Sequence, residues 1–319
     1  MPSKLVLLVT YKLSLSNLQR IKDLSSDIEV LYAEEPSQIQ ELLPKADVLF
    51  GPLNRELFQL TKNLRWVHLA YAGVDRILFP EFVISDITLT SSKGLHKHQI
   101  TDLLFGMMLT FTRRLTTLRK LQDGKKWDIS PYREMELLDE RTIGILGLGT
   151  IGSEIAKVAK AFGMRVIGLR KKPLVPPEHV DLLLGPDNLS QLMRESDHIV
   201  VALPLTAETR HLITKKEFDL MERQPYFYNL SRGAIINEID LIEALGQKKI
   251  RGAGLDVFEE EPLDRTSPLW EMENVIITPH IGGFVPHYMR VAVGMFLENL
   301  KRYLRGEELF NVVDKRRGY

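Results

Sequence analysis

The stretch IGILGLGTIGS, residues 143–153, decides how this 319-residue chain folds. It contains the spacing G-x-G-x-x-G at Gly147, Gly149 and Gly152, and its apolar start predicts a β-strand followed by a helix over 153–162. In that setting the first glycine permits a tight turn, the second lets the backbone approach a pyrophosphate, and the third lets helix and strand pack closely. The helix N-terminus would offer free N–H groups to the phosphates. The stretch therefore predicts a dinucleotide-binding turn.

Short apolar runs alternate with helical periodicity on both sides of this turn, which predicts parallel sheets with helical crossovers. The first block predicts five strands, at 5–10, 29–32, 47–50, 66–70 and 87–90. The second block predicts six strands, at 143–147, 165–169, 198–202, 226–230, 252–257 and 275–278. The predicted fold class is therefore α/β, with two Rossmann-like domains built on parallel sheets, of which the cofactor domain is doubly wound.

The limits of the two domains follow from the pattern between the blocks. One apolar stripe runs through 100–118 at spacings of three and four, which predicts a single joining helix. We expect a dinucleotide-binding Rossmann domain over 96–283. A flavodoxin-like substrate-binding domain would combine 1–95 with the returning segment 284–319. The charged tail, 314–319, is expected to be frayed.

Composition excludes several other classes of protein. Lys and Arg number 42, as do Asp and Glu, so the net charge of zero gives no overall field that would attract nucleic acid or an anionic membrane. The chain has no cysteine, which excludes disulfides, thiolate zinc sites, iron–sulfur clusters and cysteine nucleophiles. After Met1-Pro2-Ser3-Lys4 the apolar run is too short for a membrane span and lacks a leader cleavage site, so we expect a cytoplasmic protein.

The residues after the second strand of the cofactor domain indicate which nicotinamide cofactor it binds. A carboxylate there would accept hydrogen bonds from the adenosine ribose hydroxyls. This chain instead has Arg170, Lys171 and Lys172. Because a basic cluster attracts a 2′-phosphate that a carboxylate would repel, we expect NADP(H) to be favoured, with NAD(H) as the alternative. A solvated basic surface turn is the competing interpretation.

Three polar side chains follow three later strands, at the sheet edge where doubly wound folds place their ligand crevice. Arg232 can bind the carboxylate and carbonyl groups of a 2-keto acid. His280 is the natural acid near neutral pH, and hydride arrival builds negative charge on the carbonyl oxygen. Glu261 can favour the protonated imidazole and fix its tautomer. Each residue alone has an ordinary structural interpretation, but their joint placement predicts the reduction of a 2-keto acid.

Together these motifs resemble the D-isomer-specific 2-hydroxyacid dehydrogenase family over essentially the whole chain. The resemblance implies an NAD(P)-dependent dehydrogenase that acts on CH–OH groups, assembles as a homodimer through its cofactor domain, and uses Arg232, Glu261 and His280 as catalytic residues. The implied cofactor-binding residues are Gly147, Gly149, Thr150, Ile151, Gly152, Arg170, Lys171, Lys172, Pro204, Thr209 and Asp256. The implied substrate-binding residues are Ala72, Gly73, Val74 and Arg232.

The chain also departs from the family pattern. Phe284-Val285-Pro286-His287 replaces the usual residues after the histidine segment, which leaves the substrate open. Reduction of glyoxylate or hydroxypyruvate is the leading prediction. A 3-phosphoglycerate dehydrogenase without a regulatory domain is the second, and a dinucleotide-sensing, corepressor-like binding protein is the third. No metal site is predicted, although His96 and His98 form an H-x-H pair, and Trp127 is predicted either to contact another subunit or to pack internally.

Overall fold

The computed structural model describes residues 4–172 and 175–319. The expectation that no leader is present falls in part on residues 1–3, which lie outside the described residues. Strands β1 to β12 are Leu5–Val9, Ile28–Tyr32, Val48–Phe50, Trp66–Leu69, Thr88–Ser91, Thr142–Leu146, Arg165–Leu169, Leu182–Leu184, His198–Val201, Tyr226–Asn229, Gly252–Leu255 and Val275–Ile277. Helices α1 to α11 are Leu15–Lys22, Pro36–Leu42, Arg55–Gln59, Pro80–Val83, Lys97–Thr112, Leu115–Asp123, Thr150–Ala161, Leu189–Glu195, Lys215–Asp219, Glu238–Gly246 and Tyr288–Leu304. Within these ranges no helix is long and apolar enough to cross a membrane.

The first of two compact units consists of Met1–Leu95 and Val285–Tyr319. Its five strands are all parallel and follow the order β2-β1-β3-β4-β5, which is the flavodoxin-like order. The returning helix α11 buries its apolar side on this sheet, where Phe296 stacks on Phe50 with ring centroids 4.3 Å apart. The C-terminal segment is therefore part of the core of this unit.

The second unit, His96–Phe284, contains a seven-stranded parallel sheet in the order β12-β11-β10-β9-β6-β7-β8. The chain proceeds outward from β6 in one direction through β7 and β8, and then returns to β9 on the other side of β6. This reversal is the topological switch point of a doubly wound sheet, and its crevice lies at the carboxyl ends of the strands. The predicted fold class is confirmed.

Two details of the second unit differ from the prediction. The sequence predicted six strands, but β8, Leu182–Leu184, adds a seventh; it is a three-residue edge strand, too short to show an alternating pattern. The helix predicted as one stripe over 100–118 is two helices, α5 and α6. They are separated at Arg114, whose φ of 53° lies in the left-handed region. The apolar residues keep their spacing of three and four across the break, because a single residue in the left-handed conformation changes the direction of the chain without adding or removing a residue.

The C-terminal tail is also more ordered than its charge predicted. Val313 is buried and its N–H donates to the carbonyl of Leu89. Lys315 then donates from Nζ to the carbonyl oxygens of Phe82, at 3.1 Å, and Ile87, at 2.9 Å, and burial lowers its pKa. The predicted fraying is wrong at this position because these hydrogen bonds anchor the ammonium group to carbonyl oxygens at and beyond the end of α4.

A buried histidine should make the second unit sensitive to acid. His198 is 1% exposed, contacts the hydroxyl of Tyr228 at 3.2 Å, and burial lowers its pKa to about 3 from 6.5. The unfolded chain binds a proton there below about pH 6.5, whereas the folded chain does not until about pH 3, so stability falls as the pH falls through this window. From pH 7 to pH 5 the expected loss is about 2 kcal/mol of unfolding free energy.

Urea unfolding of the wild type and of His198→Gln at both pH values measures this loss. The variant should be less stable at pH 7 but should lose about 2 kcal/mol less on acidification. His68, which is buried in the other unit with a pKa lowered to about 3, titrates equally in both proteins and cancels. An identical pH dependence in the two proteins would show that His198 is not the titrating group.

Candidate active site

The glycine turn joins β6 to α7 and has the form needed for a pyrophosphate. Gly147 has a φ of 103°, which favours glycine, and a Cβ on Gly152 would lie 2.0 Å from the carbonyl oxygen of Gly147. These two glycines therefore keep the helix N-terminus close to the strand. A Cβ on Gly149 would meet nothing within 4 Å, so the space beside it is open. Open space at the first N–H groups of a twelve-residue helix fits a dinucleotide phosphate.

The basic cluster and the segment Pro204–Thr209 follow β7 and β9, on either side of this turn. Arg170, Lys171 and Lys172 are exposed, and the backbone N–H of Arg170 donates to Leu184 of β8. The Thr209 hydroxyl donates to the carbonyl of Pro204 at 2.7 Å and accepts from the N–H of Thr206 at 2.8 Å. These bonds close the segment into a compact turn at the carboxyl end of β9.

The loop that carries Arg232 packs directly against the loop that leads to Glu261. A Cβ on Gly233 would lie 1.8 Å from the carbonyl carbon of Phe258, so only glycine allows this approach. The buried Asn229 shapes the Arg232 loop, because its side-chain amide donates to the carbonyl of Arg232 at 3.0 Å. The Arg232 loop after β10 and the Glu261 loop after β11 therefore contact each other, in addition to following neighbouring strands of the sheet.

Glu261 and His280 form a hydrogen-bonded pair. Nδ1 of His280 lies 2.8 Å from Oε2 of Glu261, and Oε1 of Glu261 accepts from the N–H of Phe258 at 3.2 Å. Because the carboxylate only accepts, Nδ1 carries the hydrogen and Nε2 is the nitrogen available for proton transfer. The His280 side chain is 43% exposed, so a ligand can reach it. His280 has a φ of 54°, and this left-handed backbone turns its side chain out of the strand direction.

Asp256 holds the loop that follows His280. Its side chain is 2% exposed, and its two oxygens accept from the Thr278 hydroxyl at 2.6 Å and from the N–H groups of Ile281 and Gly282, both at 2.9 Å. The resemblance implied that Asp256 contacts the cofactor. The structure places its carboxylate in the framework that positions the histidine loop.

The implied substrate loop, Ala72–Val74, lies in the five-stranded unit, and its Val74 is buried in the core there. The sequence analysis missed two tyrosines that hold Ala70, two residues before this loop. The N–H of Ala70 donates to the Tyr11 hydroxyl at 3.2 Å, and the Tyr288 hydroxyl donates to the carbonyl of Ala70 at 2.5 Å. Burial raises the pKa of Tyr288 to about 12, which keeps it a donor. The tyrosines are far apart in sequence, so no local pattern could reveal this clamp.

His96 is a second residue whose place the sequence did not predict. Its Nδ1 lies 3.1 Å from the carbonyl oxygen of Gly283, which requires the hydrogen on Nδ1. Burial lowers the pKa of His96, and the charge of Arg232 lowers it further. His98, by contrast, faces Glu154 at 3.3 Å. The two members of the H-x-H pair therefore serve different neighbours, and His96 belongs with the loops of Arg232 and His280.

Comparisons with known proteins agree with this geometry. Residues 105–282 match the family model described as the NAD-binding domain of D-isomer-specific 2-hydroxyacid dehydrogenases. A glyoxylate reductase of Korarchaeum cryptofilum is 32% identical over 274 residues, covering 84% of this chain and 81% of that protein. A D-3-phosphoglycerate dehydrogenase of Methanocaldococcus jannaschii is 33% identical over 297 residues, covering 90% of this chain but only 55% of that protein. The chain thus spans about half the length of this second relative.

A solved structure is similar to this chain over nearly its whole length. The NADPH-dependent glyoxylate/hydroxypyruvate reductase of Sinorhizobium meliloti superposes with a TM-score of 0.86 at 27% identity, covering 99% of this chain and all of that one. A doubly wound domain with this glycine turn, and a histidine–glutamate pair beside an arginine loop, define an oxidoreductase that uses a nicotinamide cofactor. The chain belongs to the D-isomer-specific 2-hydroxyacid dehydrogenase family, whose members act on CH–OH groups. The predicted family, fold and reaction class are confirmed.

Proposed function

We propose that this chain reduces a small 2-keto acid of the glyoxylate or hydroxypyruvate type, with NADPH as the favoured reductant. The observation that carries the proposal is the His280–Glu261 pair at 2.8 Å, next to the loop of Arg232 and at the carboxyl ends of the strands. The names of the relatives support the substrate class, since several are glyoxylate reductases and one is a hydroxypyruvate reductase. A panel of 2-keto acids, followed by loss of NADPH or NADH absorbance, tests it.

The turn of Gly147, Gly149 and Gly152 would hold the nicotinamide cofactor, which would supply the hydride for the carbonyl carbon. Arg232 holds the substrate carboxylate and carbonyl oxygen through its planar guanidinium group. The family resemblance assigns binding of the substrate carboxylate also to the backbone around Ala72–Val74. Protonated His280 delivers the Nε2 hydrogen to the carbonyl oxygen as negative charge develops there. Glu261, which accepts the Nδ1 hydrogen, fixes the orientation of the ring and keeps Nε2 directed away from itself.

Replacing Glu261 with Gln should lower kcat for reduction. The carboxylate accepts the Nδ1 hydrogen of His280 at 2.8 Å and so keeps Nε2 as the nitrogen available for proton transfer. A glutamine amide can present either a donor or an acceptor to Nδ1, so the tautomer and orientation of the ring would no longer be fixed, and kcat should fall by at least about tenfold. Steady-state kcat with saturating NADPH and keto acid measures the loss. Glu260→Gln, which removes the neighbouring carboxylate, is the matched control, and an unchanged kcat in Glu261→Gln would contradict the role given to this pair.

The preference for NADPH rests on Arg170, which stands at the end of β7 where a carboxylate would contact the adenosine ribose. Two solved relatives contain NADPH or NADP, which supports the same preference here. Arg170→Asp should lower the ratio of kcat/KM for NADPH to that for NADH by about 10- to 100-fold, the value of one charged hydrogen bond. Parallel kinetics with both cofactors measure the ratio. Equal or better use of NADH by the wild type would refute the preference.

A 3-phosphoglycerate dehydrogenase is the second candidate, because the archaeal enzyme of that name is 33% identical over 90% of this chain. The same panel separates the two functions. Oxidation of 3-phosphoglycerate with kcat/KM at least equal to that for glyoxylate reduction would favour the second candidate.

We also propose a homodimer through the cofactor domain. The segment between α6 and β6 exposes Trp127 fully, together with much of the side chains of Ile129, Tyr132 and Leu137. Of the two interpretations of Trp127, internal packing in this chain is thereby excluded. An apolar patch of this kind is typical of a subunit contact. Sedimentation equilibrium tests the dimer, and a monomer at micromolar concentration would contradict it. The cytoplasmic location stays a prediction from the sequence.

A further inference from the structure

A carboxylate lies across the predicted adenosine end of the cofactor crevice. Nζ of Lys171 contacts both carboxylate oxygens of Glu208, at 2.6 and 2.9 Å. Lys171 stands two residues beyond the end of β7, and Glu208 belongs to the compact turn after β9. The chain has no acid directly after β7, so this ion pair brings a carboxylate to that position from another part of the sequence.

The order of the strands shows what the pair crosses. β6 lies between β7 and β9, so an ion pair from the end of β7 to the loop of β9 passes over the carboxyl end of β6. Adjacent strands are about 4.8 Å apart, so the pair bridges roughly 10 Å. The glycine turn starts at this carboxyl end, and the adenosine ribose of a dinucleotide lies on the β7 side of it. Lys171 and Glu208 therefore stand where a ribose 2′-phosphate would bind.

We propose that Glu208 is a cofactor-selectivity residue, which weakens the binding of a 2′-phosphate by occupying Lys171. The inference rests on the proposed cofactor site, but it holds whichever cofactor the wild type prefers. Lys171 is one of the basic residues expected to attract the phosphate, and Glu208 removes much of that attraction while adding a like charge. Glu208 would thus partly offset the attraction of Arg170 for the 2′-phosphate. The difference in Kd between NADPH and NADH would then be smaller than the basic cluster predicts.

The backbone of Glu208 is held in place, whereas its ion pair with Lys171 is weak. The backbone around Glu208 is fixed by the bonds of Thr206, Thr209 and Pro204, so the carboxylate stays near the crevice. The two side chains are 61% and 71% exposed, and an exposed ion pair contributes little stability. Lys171 can therefore exchange its partner for a phosphate at small cost, and the effect of Glu208 on binding should be moderate.

Calorimetric titration of the full chain at low ionic strength tests the proposal without relying on activity. The probes are NADPH, NADH, 2′,5′-ADP and 5′-AMP, and the proteins are the wild type, Glu208→Gln, Lys171→Met and the double variant. Glu243→Gln is the matched control, because Glu243 also pairs with an exposed lysine, Lys215, in another part of the same unit. Its Kd values should equal those of the wild type.

Glu208→Gln should lower Kd for NADPH and 2′,5′-ADP about fivefold, the upper range for one exposed ion pair, and change Kd for NADH and 5′-AMP less than about twofold. In the Lys171→Met background the same substitution should have a smaller effect, since only the direct repulsion between Glu208 and the phosphate is then removed. An equal change for all four probes, no change, or an undiminished effect without Lys171 would overturn the proposal. Tighter binding of NADH than of NADPH by the wild type would refute only the cofactor preference proposed above.

Discussion

Replacing His280 with alanine is expected to lower kcat for keto-acid reduction by about 10²–10⁴-fold, the usual contribution of a general acid. The reason is that no proton would reach the carbonyl oxygen from Nε2 as the hydride arrives. Kd for NADPH should stay within about twofold of the wild-type value, because the glycine turn that holds the phosphates is untouched. Single-turnover reduction of glyoxylate and calorimetric binding of NADPH measure the two quantities separately.

The chain offers a matched control for this variant. His211 pairs with Glu259 at 2.5 Å, only two residues before Glu261, so His211→Ala also removes a histidine from a histidine–glutamate pair. Its kcat should be nearly that of the wild type. If His280→Ala kept more than about a third of wild-type kcat, far outside the range of a general acid, His280 would not be the proton donor.

Local patterns were enough to predict the parts of the fold that local chemistry determines. The spacing of Gly147, Gly149 and Gly152 predicts a turn because two of these positions exclude a Cβ and the third faces open space. The strands of both sheets are apolar runs bounded by polar turns, so eleven of the twelve described strands could be located within a few residues. Three strand ends then placed Arg232, Glu261 and His280 on one edge, because parallel strands end together.

Features that depend on distant residues could not be predicted in the same way. The clamp of Tyr11 and Tyr288 on Ala70 joins segments more than 200 residues apart. The pairing of Lys171 with Glu208 depends on the strand order, which sequence periodicity does not report. In each case the residue types are common at the surface or in the core, so the sequence alone does not mark them. Only the packing of separate elements brings them into contact.

Replacing Arg232 with alanine is expected to affect binding as well as the chemical step. The guanidinium would contact the substrate carboxylate in the ground state and the carbonyl oxygen more strongly as charge develops on it. KM for the keto acid should therefore rise and kcat should fall, the latter by about 10²–10³-fold, as for loss of one donor to a developing oxyanion. Arg232→Lys should recover only part of this loss, since an ammonium group keeps the charge but cannot form two parallel hydrogen bonds.

Rescue of the alanine variant decides between a binding and a structural role for Arg232. The guanidinium also donates from Nη1 to the carbonyl of Ser231 at 2.8 Å, so alanine could disturb the loop. A disturbed loop would misplace Glu261 through the contact of Gly233 with Phe258, and added guanidinium would then leave kcat low. If Arg232 acts on the substrate, millimolar guanidinium should restore part of kcat in the alanine variant. The absence of rescue would mean that Arg232 supports the loop and that another group binds the carboxylate.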